Sequence, residues 1–213
     1  LFCEKAEVDY SKMLGVFTGS PAKPDVIYIN SGENGDVEGS QTAPIELKSV
    51  QITLELGRES PLDGGGAKIV VKRVEADRQV RISYNHDYLL LADHALYERR
   101  SAEASPLAGM LTLTVREQLP ACTLTNSSGD RILADKIEID TVKRKLWLMQ
   151  PRGTIHWQKE SNTTQELKFS AEEMLWDEQQ QQMVMNGSVY IEDIMGEASS
   201  NKARIEYAVE EGR

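Results

Sequence analysis

Hydrophobic and polar residues alternate in short runs along this chain, and the runs recur in a common order. In Ser170–Ile191, Met174 and Trp176 occupy alternate positions after Ala171-Glu172, Asp177 closes the run, a polar turn follows, and Val189 and Ile191 alternate after Gly187. Upstream, Ala134-Asp135 leads to Ile137, Ile139 and Asp140, then to Gly153, Ile155 and Trp157. Earlier still, Ala92-Asp93 leads to Ala95, Tyr97 and Glu98, then to Gly109, Leu111 and Leu113. The first acid and the glycine stand 15 to 18 residues apart in all three copies, and such self-similarity marks a repeat architecture. Weaker copies open and close the chain: Glu4, Ala6, Val8 with Asp9, and Asn201, Ala203, Ile205 with Tyr207.

Within Ser170–Ile191 alone a helix competes with strands, because Ser170 and Glu173 form a capping box and Asn186-Gly187 a stop signal. A helix needs apolar residues every three or four positions, whereas Asp177–Gln182 is six polar residues in succession. The sister stretch DKIEIDTVKRKLWL, starting at Asp135, alternates isoleucine with charge, which is a strand pattern. Strands are therefore expected in every copy. Strand side chains alternate between faces, which puts Ala6, Val8, Tyr10, Ala95, Tyr97, Ile137, Ile139, Met174, Trp176, Ala203, Ile205 and Tyr207 on one apolar face. Glu7, Asp9, His94, Lys136, Glu138, Asp140, Glu173, Leu175, Asp177 and Arg204 fall on a mostly charged face, as in an antiparallel sheet solvated on one side.

Elsewhere the pattern is broken more often. A return strand is expected around Gly15–Phe17 and a short one over Val26–Ile29, and Pro44–Leu56 sets Val50, Ile52, Leu54 and Leu56 on one face. Residues 67–83 supply one or two strands, and Gln118–Thr125 another, which Pro120 assigns to an edge or a strand start. Ser101–Pro106 and Asn126–Asp130 read as turns, and Pro61–Gly66 (PLDGGG) as a hairpin loop or a soft boundary. Strands at this density predict an all-β sandwich, roll or barrel. One domain over 1–213 is expected, with an insertion-rich region at 20–83.

Composition narrows the function classes. A net charge of −10 disfavours nucleic acid and anionic membrane surfaces as partners. Only 6% of residues are aromatic, which suits an elongated or thin-walled shape. No stretch reaches the ~20 apolar residues of a membrane helix. The chain starts within a strand-like segment, so a targeting signal or anchor outside it is expected.

Candidate chemistry is sparse. His86, His94 and His156 match no zinc-ligand spacing, and His94 and His156 read as surface or rim histidines on alternating strands. Neither a metal nor a cofactor is expected. Cys3 and Cys122 could pair in an oxidising compartment, and two free thiols fit equally well. Asp93, Asp135 and Glu172 recur at expected strand starts, where a carboxylate can accept hydrogen bonds from turn amides. Nothing here points to an enzyme.

The repeat resembles the OstA-like family of lipopolysaccharide-transport proteins. The passages that carry the resemblance are SAEEMLWDEQQQQMVMNGSVYIEDIMGEASSNKARIEY, LADKIEIDTVKRKLWLMQPRGTIHW and LADHALYERR. It covers residues 89–207 well and 1–19 weakly, while 19–83 departs from it. The resemblance implies an elongated, V-shaped antiparallel β-jelly roll built from repeated strand pairs. It also implies a periplasmic location in a diderm bacterium, with or without an inner-membrane tether. The implied ligand is lipopolysaccharide, held by its lipid A acyl chains in an apolar groove; Tyr97, Ile137, Ile139, Trp147, Met174, Trp176, Val189 and Ile191 are the candidate lining. The implied partners are homologous jelly rolls, or further copies of this chain, joined end to end through the strands of Val8 and Tyr10 and of Ile205 and Tyr207. Two other readings stay open: a structural or adhesive β-repeat protein with a dry core, and an enzyme on a β scaffold.

Overall fold

The computed structural model describes residues 2–19, 26–30, 45–59, 67–84, 87–100, 108–116, 118–158 and 164–206. These residues form strands and turns, with no helix among them. The strands are β1 Lys5–Asp9, β2 Leu14–Thr18, β3 Val26–Asn30, β4 Ile45–Ser49, β5 Gln51–Glu59, β6 Lys68–Tyr84, β7 Tyr88–Arg99 and β8 Gly109–Thr114. They continue as β9 Cys122–Thr125, β10 Arg131–Ala134, β11 Lys136–Asp140, β12 Lys145–Met149, β13 Arg152–Gln158, β14 Thr164–Ser170, β15 Glu173–Asp177, β16 Gln182–Asp193 and β17 Gly196–Glu206. All belong to one antiparallel sheet, an elongated jelly roll.

The sheet is folded along a seam into two halves. The first half runs β1-β2-β5-β6-β7-β8-β11-β12-β15-β16-β17. The second runs β3-β4-β6-β7-β9-β10-β13-β14-β16-β17. At about 4.8 Å per strand, the eleven strands of the first half extend roughly 50 Å, against about 17 Å along a five-residue strand. The long strands β6, β7, β16 and β17 belong to both halves, and β6 and β16 change register at the crossing, between Asp77 and Val80 and between Asn186 and Val189.

Left-handed backbone makes the corners. Arg78 and Gln79 (φ 67° and 53°), Gln150 (51°) and Gly187-Ser188 (71° and 46°) all lie on the seam. Backbone bonds cross there from Asp135 N to Met149 O (2.9 Å), from Gln150 N to Glu172 O (2.7 Å) and from Glu172 N to Gly187 O (2.9 Å). Where β10 and β13 meet, a Cβ on Gly153 would collide with the Arg131 carbonyl, so only glycine allows this approach. The run Pro44–Leu56 is therefore two strands: it turns the corner at Val50, and a bulge between Glu55 and Leu56 takes Leu56 out of the face of Ile52 and Leu54.

The hairpin ends repeat one device. Asp9, Asp140 and Asp177 each end a strand and are followed by four turn residues, the last of them left-handed: Met13, Arg144 and Gln181. The carboxylate accepts turn amides: Asp9 from Ser11 and Lys12 (3.0 and 3.1 Å), Asp140 from Val142 and Lys143 (3.1 and 3.0 Å), Asp177 from Gln180 (3.0 Å). Asp140 and Asp177 are buried, not solvated as their place in the alternation suggests, because the turn folds over them.

Candidate functional site

Register turns the short alternations into continuous rows. In the first half one inward row runs Ala6, Phe17, Ile52, Ala76, Ala95, Leu113 and continues Ile137, Leu148, Met174, Met185, Ala203, each residue directly opposite the next. The neighbouring inward row starts at Val8 and Gly15, passes through Tyr97, Ile139 and Trp176, and ends at Met183 and Ile205. The second half faces them with a row from Leu47 through Leu124 and Ile132 to Phe169, Ile191 and Ala198. No polar residue interrupts these rows.

Seven of the eight candidate lining residues stand on this inner side. Ile137, Met174, Trp176 and Val189 are buried, at 0%, 2%, 6% and 2% exposure, while Tyr97, Ile139 and Ile191 pack against the same cluster half-buried. Trp147 is the exception and corrects that expectation. It lies opposite Glu138 and Leu175, on the outer face, and is 36% exposed. Leu146 and Leu148 take the inward positions of β12 instead.

Among the described residues the rows are covered less at their two ends than in the middle. Val8 is 47% exposed, Ala6 is exposed, and Ala203 and Ile205 are half-buried. Within the registers described, β1 pairs with β2 and β17 with β16, leaving one edge of each strand without a partner. Tyr10 is not part of that edge: it sits in the turn after Asp9 and is 84% exposed. Tyr207 lies outside the described residues, as do Ser101–Pro106, Pro61–Gly66 and His86.

A second feature lies on the outer face, where the sequence shows no motif. Glu75 and Asp77 of β6 share a face, and His94 of β7 lies directly across from Asp77. His94 is buried at 7% exposure and is not a rim residue. Its Nε2 is 3.1 Å from Glu75 Oε1 and 3.9 Å from Asp77 Oδ1, and its Nδ1 is 3.4 Å from Thr114 Oγ1. Arg73 Nη2 reaches Glu75 Oε2 at 3.1 Å, and Arg116 Nη1 reaches Asp77 Oδ1 at 2.8 Å. Buried Asp93 fixes the chain after β8, its Oδ2 accepting the amides of Arg116, Gln118 and Leu119 at 2.9, 3.0 and 3.1 Å. A shallow depression lined by Asp77, Arg78, Asp93, Arg116 and Gln118 gives solvent access beside it.

The recurrent first acids thus divide in role. Asp93 gathers loop amides from within β7, Asp135 is exposed with Arg152 4.0 Å away, and Glu172 Oε1 accepts from the Ser188 hydroxyl at 2.9 Å. His156 is tied to a turn, its amide and Nδ1 lying 2.6 and 3.2 Å from Asp130 Oδ1. Cys3 and Cys122 are both free thiols, and burial, with Asp93 and Asp135 nearby, pushes the Cys122 pKa up to about 12. No helix among the described residues is long and apolar enough to cross a membrane. Neither a family model nor a curated protein matches this chain.

Proposed function

We propose that this protein is a periplasmic lipopolysaccharide-transport component, holding lipid A acyl chains against its inward rows and joining related jelly rolls end to end. The observation that carries the reading is the uninterrupted apolar row, which keeps its inward direction out to the terminal strands, where Val8 is exposed and Ile205 half-buried. An apolar surface gains about 25 cal/mol for each Å² removed from water, so these ends favour either an acyl chain or the equivalent rows of another roll. Outer-row residues such as Asp9, Glu55, Arg73, Glu98, Lys145 and Glu206 carry the charge that keeps the body in water. Among the described residues β1 and β17 each have one edge without a partner strand, which would supply N–H and C=O groups for a docking strand.

A dry-cored β-repeat protein is the second reading, favoured by the full burial of Leu113 and Ile137 in the middle of the row and of Met185 one strand from its end. Lipid extraction separates the two. The purified chain should carry acylated glycolipid by mass spectrometry, and added lipopolysaccharide should saturate it. Ile205→Asp, at the open end, should weaken that binding while leaving the β-sheet circular dichroism intact, and Glu206→Gln should not. A folded protein that carries no lipid and takes up none at micromolar lipopolysaccharide would refute the lipid reading.

A further inference from the structure

We propose that Glu75, Asp77 and His94 form a binding site for one divalent transition-metal ion of the zinc type. The inference goes beyond the lipid reading and does not rest on it. One ligand atom from each residue lies within 4.8 Å of the other two. Zinc bonds of about 2.0–2.2 Å hold their ligand atoms some 3–4 Å apart, so the three side chains need shift by less than an ångström to close on an ion. One imidazole nitrogen with two carboxylate oxygens suits zinc or its neighbours in the first transition row. Magnesium and calcium select oxygen-only sets.

Three details support a ligand over an ordinary ion pair. The His94 side chain is nine-tenths buried, with 9% exposure, yet its Nε2 points at the two carboxylates. Thr114 lies at Nδ1, where a hydrogen-bond partner sets the orientation of a metal-bound ring. When Nδ1 donates to Thr114, the Nε2 lone pair and Glu75 Oε1 lie 3.1 Å apart, two acceptors that a cation seated beside both can bridge. Finally, Asp77 Oδ1 is held by Arg116, whose side chain is 55% exposed. Its guanidinium can swing into water and be replaced by the ion, so the site exchanges one cation for another. Three protein ligands on two adjacent strands leave a fourth position for water.

Calorimetric titration of the whole chain with zinc chloride in chelator-treated buffer tests the site. One equivalent should bind at micromolar zinc, and millimolar magnesium should not compete. His94→Gln and Asp77→Asn should each weaken zinc binding at least ~10-fold, the order seen when a ligand shell is disturbed, with unchanged circular dichroism. Arg116→Ala should tighten binding several-fold, because it removes the competing cation; a purely structural cluster would not respond in that direction. His156→Gln should leave the titration unchanged. Should His94→Gln fail to fold, the opposite responses of Asp77→Asn and Arg116→Ala still decide the matter. Absence of zinc binding by the folded chain, zinc binding that survives Asp77→Asn unaltered, or loss of affinity in Arg116→Ala would each overturn the proposal.

Discussion

Replacing Asp140 with alanine would show whether the acid at the strand end holds the turn. The carboxylate is fully buried; Oδ1 accepts the amides of Val142 and Lys143, and Oδ2 meets Arg100 Nη1 at 2.8 Å. Hydrogen bonds to a charged group contribute about 1.5–3 kcal/mol each. Val142 is 41% exposed, so water recovers part of what the two amides lose, and about 1–1.5 kcal/mol each is the appropriate figure. Arg100 is 38% exposed and returns to water, which limits the pair to under ~1 kcal/mol. The total is about 3 kcal/mol. With a urea slope of roughly 2–3 kcal/mol per molar for a chain of this size, the unfolding midpoint should fall by about 1 M. Asp135→Ala is the control: its carboxylate is 56% exposed and 4.0 Å from Arg152, so its effect should stay within ~0.5 kcal/mol.

The same residue has a pH signature. Burial opposes the charge on Asp140, but the amides of Lys143 and Val142 and the Arg100 guanidinium outweigh it and hold its carboxyl below the ordinary 3.8. A carboxyl lowered in the folded state contributes stability above its unfolded pKa and loses it as pH falls through the folded one. The gap between the parent and Asp140→Ala should therefore be constant at neutral pH and narrow below about pH 4. Equal urea midpoints for Asp140→Ala and Asp135→Ala at pH 7 would refute the reasoning.

Two further substitution pairs test the geometry. Gly153→Ala drives a methyl group into the Arg131 backbone carbonyl and should cost more than about 3 kcal/mol, whereas Gly57→Ala meets only the flexible Lys72 side chain and should cost under about 1 kcal/mol; equal thermal shifts would contradict the close approach of β10 and β13. Met174→Asp buries an unpaired charge in the inner row and should abolish the cooperative unfolding transition. Trp147→Asp, one position off the inward Leu146–Leu148 parity and so on the exposed outer face, should unfold within about 1 kcal/mol of the parent.

The period-two runs made the class of fold legible, because Ile137 and Ile139 each stand between charged neighbours, and Met174 and Trp176 alternate inside a short run bounded by Glu173 and Asp177. The strand reading of Ser170–Ile191 holds for the same reason: the polar run after Asp177 is a turn and not a helical face. Trp147 was not legible. Leu146, Trp147, Leu148 and Met149 are apolar at both parities, so only the pairing with Glu138 and Leu175 decides which way the tryptophan points. The closing acids were visible, but their burial was not, since alternation says nothing about a turn that folds back over a strand end. The Glu75–Asp77–His94 cluster lay further out of reach. Its residues are 17 and 19 positions apart, and their meeting depends on a β6–β7 register that shifts at Arg78 and Gln79, two polar residues in left-handed backbone that carry no glycine or proline signal.

On the proposed lipid reading, the filled middle of the inner rows restricts where an acyl chain would enter the roll. Between Leu113 and Met185 the row is buried by the opposing half of the sheet, so an acyl chain cannot begin there without parting the two halves. At the β1 end Ala6 and Val8 are exposed, and at the β17 end Ala203 and Ile205 are half-buried against the core cluster. Near β17 the filling changes character: Met174, Met183 and Met185 lie side by side across β15 and β16, next to Ala203 and Ile205. Methionine has three rotatable bonds and no branch, and it repacks around a guest at lower cost than the isoleucine, leucine and alanine of the centre. On that lipid reading, an acyl chain would therefore enter from the exposed β1 end or from the half-buried β17 end, where methionine side chains can repack around it.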